Sequence, residues 1–212
     1  MTFSRFIINF GIIILLINTL LFIINYRNKD KVNIYFNMYL LLCLLIQFYS
    51  SFLSSKKENN LFLSHYFFIG QFIFLSLFYA KLFDKKRIKN GIRLFLLTIA
   101  VPLIFYNIHF SKKFKEWNEI EIALTSIPLL IYSFLFFIEK IENITTKKYI
   151  YFNTGFFIYT LCSTLLFTLG NIGTGKLKLI VWKTNSFLYL IFQALIFIEW
   201  YKNFRKPSIT KF

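Results

Sequence analysis

Residues Leu61 to Phe83 read LFLSHYFFIGQFIFLSLFYAKLF, an apolar run whose only charged residue, Lys81, sits close to its end. As a helix rising about 1.5 Å per residue, such a run is long enough to cross a hydrocarbon core of about 30 Å. Working outward from it, six more runs of comparable character come at regular intervals: Phe6 to Asn25, Ile34 to Ser54, Ile92 to Phe110, Ile122 to Ile141, Tyr149 to Asn171 and Leu179 to Tyr201. The pattern predicts an all-α polytopic transmembrane helix bundle of seven spans, filling residues 1–212 as one transmembrane domain and leaving 202–212 as a short basic tail. The first run lacks a small-residue cleavage site in Ile23-Ile24-Asn25-Tyr26-Arg27 and reads as a retained helix. Pro102 and its shortness make the fourth run the weakest, with a kink expected there.

Composition agrees. Hydrophobic residues make up 57 % of the chain and charged residues 16 %, against roughly 25 % charged in a soluble domain. The formal charge of +16 does not indicate nucleic acid, because the basic residues form short clusters between apolar runs rather than one face. In alternating loops they are unequal. Thirteen lie in the set holding Arg27, Lys85, Lys147 and Lys202, and eight in the set holding Arg5, Lys56, Lys112 and Lys176. The positive-inside bias then puts the N-terminus outside and the C-terminus in the cytoplasm of a bacterial inner membrane. Trp117, Trp182, Trp200, Tyr26 and Tyr201 fall near run ends, where amphipathic rings settle. Cys43 and Cys162 lie inside apolar runs and read as buried thiols.

Polar residues at membrane depth are the candidates for a site. His65, Ser76 and Tyr79 share a face of the third span, with Gln71 beside them. Asn153, Thr160, Thr164 and Asn171 make a narrow line along the sixth, and Asn185, Tyr189 and Glu199 one sector of the seventh, with Gln193 at its edge. Two expectations compete for His65, Gln71, Asn153, Thr160, Thr164, Asn185 and Glu199. Either they hydrogen-bond between helices, the cheaper explanation, or they border one polar cavity. Lys81, Glu139 and Glu199, near span ends, are expected to reach the interface as anchors.

Chemistry finds little purchase. There is no H-E-x-x-H, no G-x-S-x-G and no Walker-type loop, and His65 and His109 are not at metal-motif spacing with Cys43 or Cys162. Lys183 has no mid-span carboxylate to serve as counter-ion for a Schiff base. The residues imply no cofactor, no metal and no catalytic group, and no buried acid–base pair is expected. The segments Leu63–Ser76, Tyr151-Phe152-Asn153-Thr154-Gly155 and Ile198-Glu199-Trp200-Tyr201-Lys202 resemble a group of small bacterial seven-helix membrane proteins with no assigned activity. Where that group carries a third-span acid, this chain has Gln71, which removes an acid-dependent role from the implication. The reading is a non-enzymatic protein that either senses or binds something and hands its state to a cytoplasmic protein partner, or serves a structural role. A lipid-acting enzyme with His65 as base and Glu199 as acid stands second, with the two expected a bilayer apart, and a small transporter third.

Overall fold

The computed structural model describes residues 3–24, 30–109, 118–142, 147–172 and 175–205, the side chains of 3–5, 142 and 170–172 excepted. Seven helices long and apolar enough to cross a membrane account for nearly all of them: α1 (Phe3–Ile24), α2 (Lys31–Ser55), α3 (Phe62–Leu82), α4 (Lys86–His109), α5 (Glu119–Glu142), α6 (Ile150–Ile172) and α7 (Gly175–Glu199). The last continues into a π-helical turn, Trp200–Phe204. Tyr26, Trp117 and the side chain of Asn171 lie outside the described residues.

The expected spans match these helices, but several helices begin earlier than their apolar runs. Lys31 rather than Ile34 opens α2, Lys86 rather than Ile92 opens α4, and Glu119 rather than Ile122 opens α5. Helix geometry continues into the polar interface because local caps hold it there. Asp30 accepts the Val32 amide at 3.2 Å, and Asn118 accepts the Glu121 amide at 3.3 Å, each satisfying a first-turn donor that has no partner inside its helix. With its extra turn α4 reaches full length, unbroken by Pro102.

Helices α1, α2, α3, α5, α6 and α7 close a ring in that order, and α4 packs on its outside against α3. The ring's interior also brings α3 to α6 and α2 to α6, through Phe68 and Phe167 (ring centroids 6.0 Å apart) and Phe36 and Phe152 (4.7 Å). Phe36, Phe72, Phe78, Phe152 and Phe156 are wholly enclosed. On α6, Gly155 allows the closest approach to α7: a Cβ there would stand 2.9 Å from Phe192 and 3.0 Å from Leu195. Outward faces are apolar throughout, with Leu45, Leu94, Phe105 and Leu165 each about 60 % exposed (60, 63, 62 and 61 %). Continuous apolar exposure on this scale is a face for lipid tails, not for water.

Helices consecutive in the chain alternate in direction, so the bundle has two ends. At one stand the starts of α3, α5 and α7; at the other, here the basic end, stand the starts of α2, α4 and α6, the close of α7 and Lys31, Lys86, Arg87, Lys147, Lys148, Lys202 and Arg205.

Candidate functional site

The sixth-span line begins at Asn153, whose side chain is the hub of three helices. Its Oδ1 accepts the Tyr79 hydroxyl of α3 at 2.6 Å and the Ser133 hydroxyl of α5 at 2.9 Å, and its Nδ2 donates to the Ser133 carbonyl at 3.0 Å. Asn153, Tyr79 and Ser133 are all at most 1 % exposed. Because every one of these groups is engaged by another, the cluster is a dry inter-helix tie and presents nothing to a ligand. Farther along α6, Thr164 donates to the Thr160 carbonyl of its own helix at 2.7 Å, and Thr160, 3 % exposed, has no partner for its hydroxyl among the described residues. Gln71 is buried in the middle of α3, and Asn185 of α7 lies half-buried beside the Tyr159 hydroxyl.

Glu199 does not reach out to the interface; it is wholly enclosed. Its carboxylate accepts the backbone amides of Tyr149 at 2.6 Å, Tyr151 at 2.9 Å and Phe152 at 3.4 Å, and the Asn203 side-chain amide at 2.8 Å. These backbone donors are the ones the first turn of α6 leaves unbonded, so α7 supplies the cap that α6 lacks, with a negative charge at the positive end of the helix dipole. Tyr149 reaches it from a left-handed backbone (φ 67°), unusual for a bulky residue. Its ring is fixed between Phe78 at 5.0 Å, Phe204 at 5.2 Å and Phe36 at 5.5 Å, and its hydroxyl donates to Asn33 of α2. A second buried tie joins α1 to α7, where Asn18 donates to the Gln193 carbonyl at 2.9 Å and to its side-chain oxygen at 3.1 Å.

No known family, curated protein or solved structure matches the chain. What distinguishes it must come from its own geometry, and one place pairs two ionisable side chains. His65, one turn into α3, faces Glu121, at the start of α5, with Nδ1 2.7 Å from Oε2. The two residues are 5 % and 1 % exposed. A proton on Nδ1 makes this bond whether the ring is neutral or charged, and the carboxylate then holds one tautomer of the imidazole. Oε1 of Glu121 has no hydrogen-bond partner among the described residues. A carboxylate that orients a histidine while keeping one oxygen unengaged can hold a proton, orient a base, or accept a donor from a bound molecule.

This pair overturns the expectation of no buried acid–base pair. Glu121 lies one residue before the apolar run that opens at Ile122, outside the segment expected to span. The signal was in the helical register: Glu121, Thr125, Tyr132 and Phe136 fall within roughly 60° of one another, and all four are buried. His65 and Glu199 stand at opposite ends of the bundle, and the other candidates are divided between the middle of α3, the Asn153 tie, α6's own backbone and α7. The structure therefore does not gather the seven polar candidates around one cavity.

Proposed function

We propose that this multi-pass protein is a non-enzymatic sensing or binding element, with His65 and Glu121 as the receiving centre and the basic end as the output toward a protein partner. The observation that carries the reading is the buried His65–Glu121 pair, with one carboxylate oxygen unengaged among the described residues, joining α3 to α5 at the end opposite the basic one. Helix α3 connects the two ends. It runs from His65 to Leu82 and leads through Phe83–Lys85 into Lys86, Arg87 and Lys89 at the start of α4. A change in the pair shifts a rigid rod of about 30 Å whose far end carries the cations a partner's acidic groups would meet. The loop charges and the resemblance to small bacterial seven-helix proteins support an inner-membrane setting, with the N-terminus and the pair toward the outside and the basic end in the cytoplasm.

A lipid-acting enzyme is the second reading, favoured by the same 2.7 Å contact, since a carboxylate-oriented histidine is the usual form of a general base. Transport is supported less. Phe36, Phe78, Tyr149 and Phe152 crowd the basic end of the bundle, at centroid distances of 4.7 to 5.8 Å in the pairs they form, across the way a polar solute would leave.

An environment-sensitive label on Asn90→Cys, exposed beside the α4 basic segment, separates the readings in a Cys43→Ala/Cys162→Ala background reconstituted in lipid. A compound from a chemically diverse screen that moves the label's signal, and ceases to do so in Glu121→Gln, is the expected result. No response to any compound, with phospholipid turnover that vanishes in His65→Ala, transfers the pair to the enzyme reading.

A further inference from the structure

Four cations meet where α6 begins and α7 ends. Lys147 and Lys148 precede α6, and Lys202 and Arg205 belong to the π turn and the residue after it; all four are exposed. Their approach is built. The Glu199 carboxylate binds the start of α6 to the close of α7, and one turn later Asn203 donates to the Lys147 carbonyl at 3.1 Å. The Lys148 ammonium lies 5.6 Å from the centre of the Phe204 ring, and the Arg205 guanidinium 5.1 Å from that of Tyr201. None of the four makes a salt bridge among the described residues. Of the acids at this end, Glu199 is engaged on the α6 amides and Asp30 on the Val32 amide of α2, Asp84 and Glu139 make no salt bridge to the four, and the side chain of Glu142 lies outside the described residues. Like charges held together repel one another, and with no salt bridge to any of the four among the described residues the cluster is set to gain from an anion.

We propose that this corner binds the phosphate headgroup of an anionic phospholipid. The order of groups down the outer side of α7 argues for a lipid rather than an acidic protein. Phe197, then Tyr201, then Arg205 follow one another at four-residue intervals, with Phe197 and Tyr201 39 % and 48 % exposed. An acyl chain lying along the bundle meets the apolar ring first, its ester level meets the amphipathic tyrosine, and its phosphate meets the guanidinium and the three lysines. Aromatic residues at the headgroup level and basic pockets between helix ends are the usual recognition elements for such lipids. An acidic peptide would use the cations and leave the Phe197–Tyr201 stripe without a role. The site is independent of the His65–Glu121 pair, which lies at the other end of the bundle.

Thermal unfolding of the full chain in a zwitterionic detergent tests it, with phosphatidylglycerol, phosphatidylcholine, glycerol phosphate or inorganic phosphate added separately. The expected result is a midpoint raised by about 4 °C or more by phosphatidylglycerol over phosphatidylcholine. That difference disappears in the variant K147Q/K148Q/K202Q/R205Q and persists in the equally neutralised control K85Q/K86Q/R87Q/K89Q. Should the quadruple variant unfold too early to read, phosphatidylglycerol retained through purification by the wild type and the control, but not by R205Q alone, gives the same answer. The proposal is overturned if both quadruple variants lose the difference equally, which makes it a general charge effect. It is equally overturned if the corner variant keeps it, if inorganic or glycerol phosphate reproduces it in full, or if the wild type shows none.

Discussion

Glu199→Ala is expected to cost about 3 kcal/mol of unfolding free energy, the largest loss of any single substitution at the basic end. Charge-assisted hydrogen bonds contribute about 1.5–3 kcal/mol each net of desolvation, and this carboxylate accepts four, three of them from α6 backbone amides and one from Asn203. The full sum is not lost, because removing the acid also removes the cost of burying its charge and water near the bundle end recovers some of the amides. What cannot be recovered is the cap itself. Tyr149 and Phe152 are packed among aromatic rings and are at most 3 % exposed, so water does not readily replace the carboxylate at their amides. Glu199→Gln keeps the shape and an accepting oxygen, turns an NH2 group toward amide donors, and is expected to lose about half as much. Reversible unfolding in mixed micelles measures both; a loss below about 1 kcal/mol for the alanine variant would show that α6 does not depend on this cap.

The second large effect is expected at Asn153, where alanine should cost about 2–3 kcal/mol. Inter-helix hydrogen bonds in bilayers average about 0.6 kcal/mol with a maximum near 1.7, a modest value for each of the three short bonds made by this side chain. The further loss comes from stranding the hydroxyl of Tyr79, 0 % exposed, without that acceptor, and from leaving the Ser133 hydroxyl only the backbone carbonyl of residue 153 at 3.5 Å. That mechanism has a signature. Tyr79→Phe alone is expected to cost about 1 kcal/mol, yet in the Asn153→Ala background it should cost nothing or stabilise slightly, because it removes a stranded hydroxyl. Strict additivity of the two substitutions would assign the Asn153 loss to the cavity alone.

The seven helices were legible because a lipid-spanning helix must satisfy its whole backbone internally and present apolar side chains outward over about 20 residues, and the runs at Phe6, Ile34 and Leu61 do so plainly. Their true starts were less so, since Lys31, Lys86 and Glu119 extend their helices into the interface, where hydropathy no longer reports on the backbone. The polar stripes were also legible as stripes, and His65, Gln71, Asn153, Thr160 and Glu199 are all enclosed. Their partners were not. Helical register says which residues share a face, but the pairing of Asn153 with Tyr79 and Ser133 depends on which helices touch, and short loops leave that order open. Glu199 illustrates the point most sharply: by position near a span end it reads as an interfacial anchor, and only the approach of α6 makes it a cap. Glu121 is the converse, an acid in a polar segment that becomes buried because α5 starts three residues before its apolar run and turns that carboxylate toward His65.

The proposed function stands on that last contact, and a double-mutant cycle tests it most directly. Unfolding free energies would be measured in mixed micelles for the wild type, His65→Ala, Glu121→Ala and the double variant. A buried, hydrogen-bonded pair at 2.7 Å predicts a coupling of about 1–3 kcal/mol, with the double variant losing clearly less than the two single losses together. Single losses that add to within about 0.3–0.5 kcal/mol would mean that His65 and Glu121 do not pair in the folded protein, and the receiving centre would go with them.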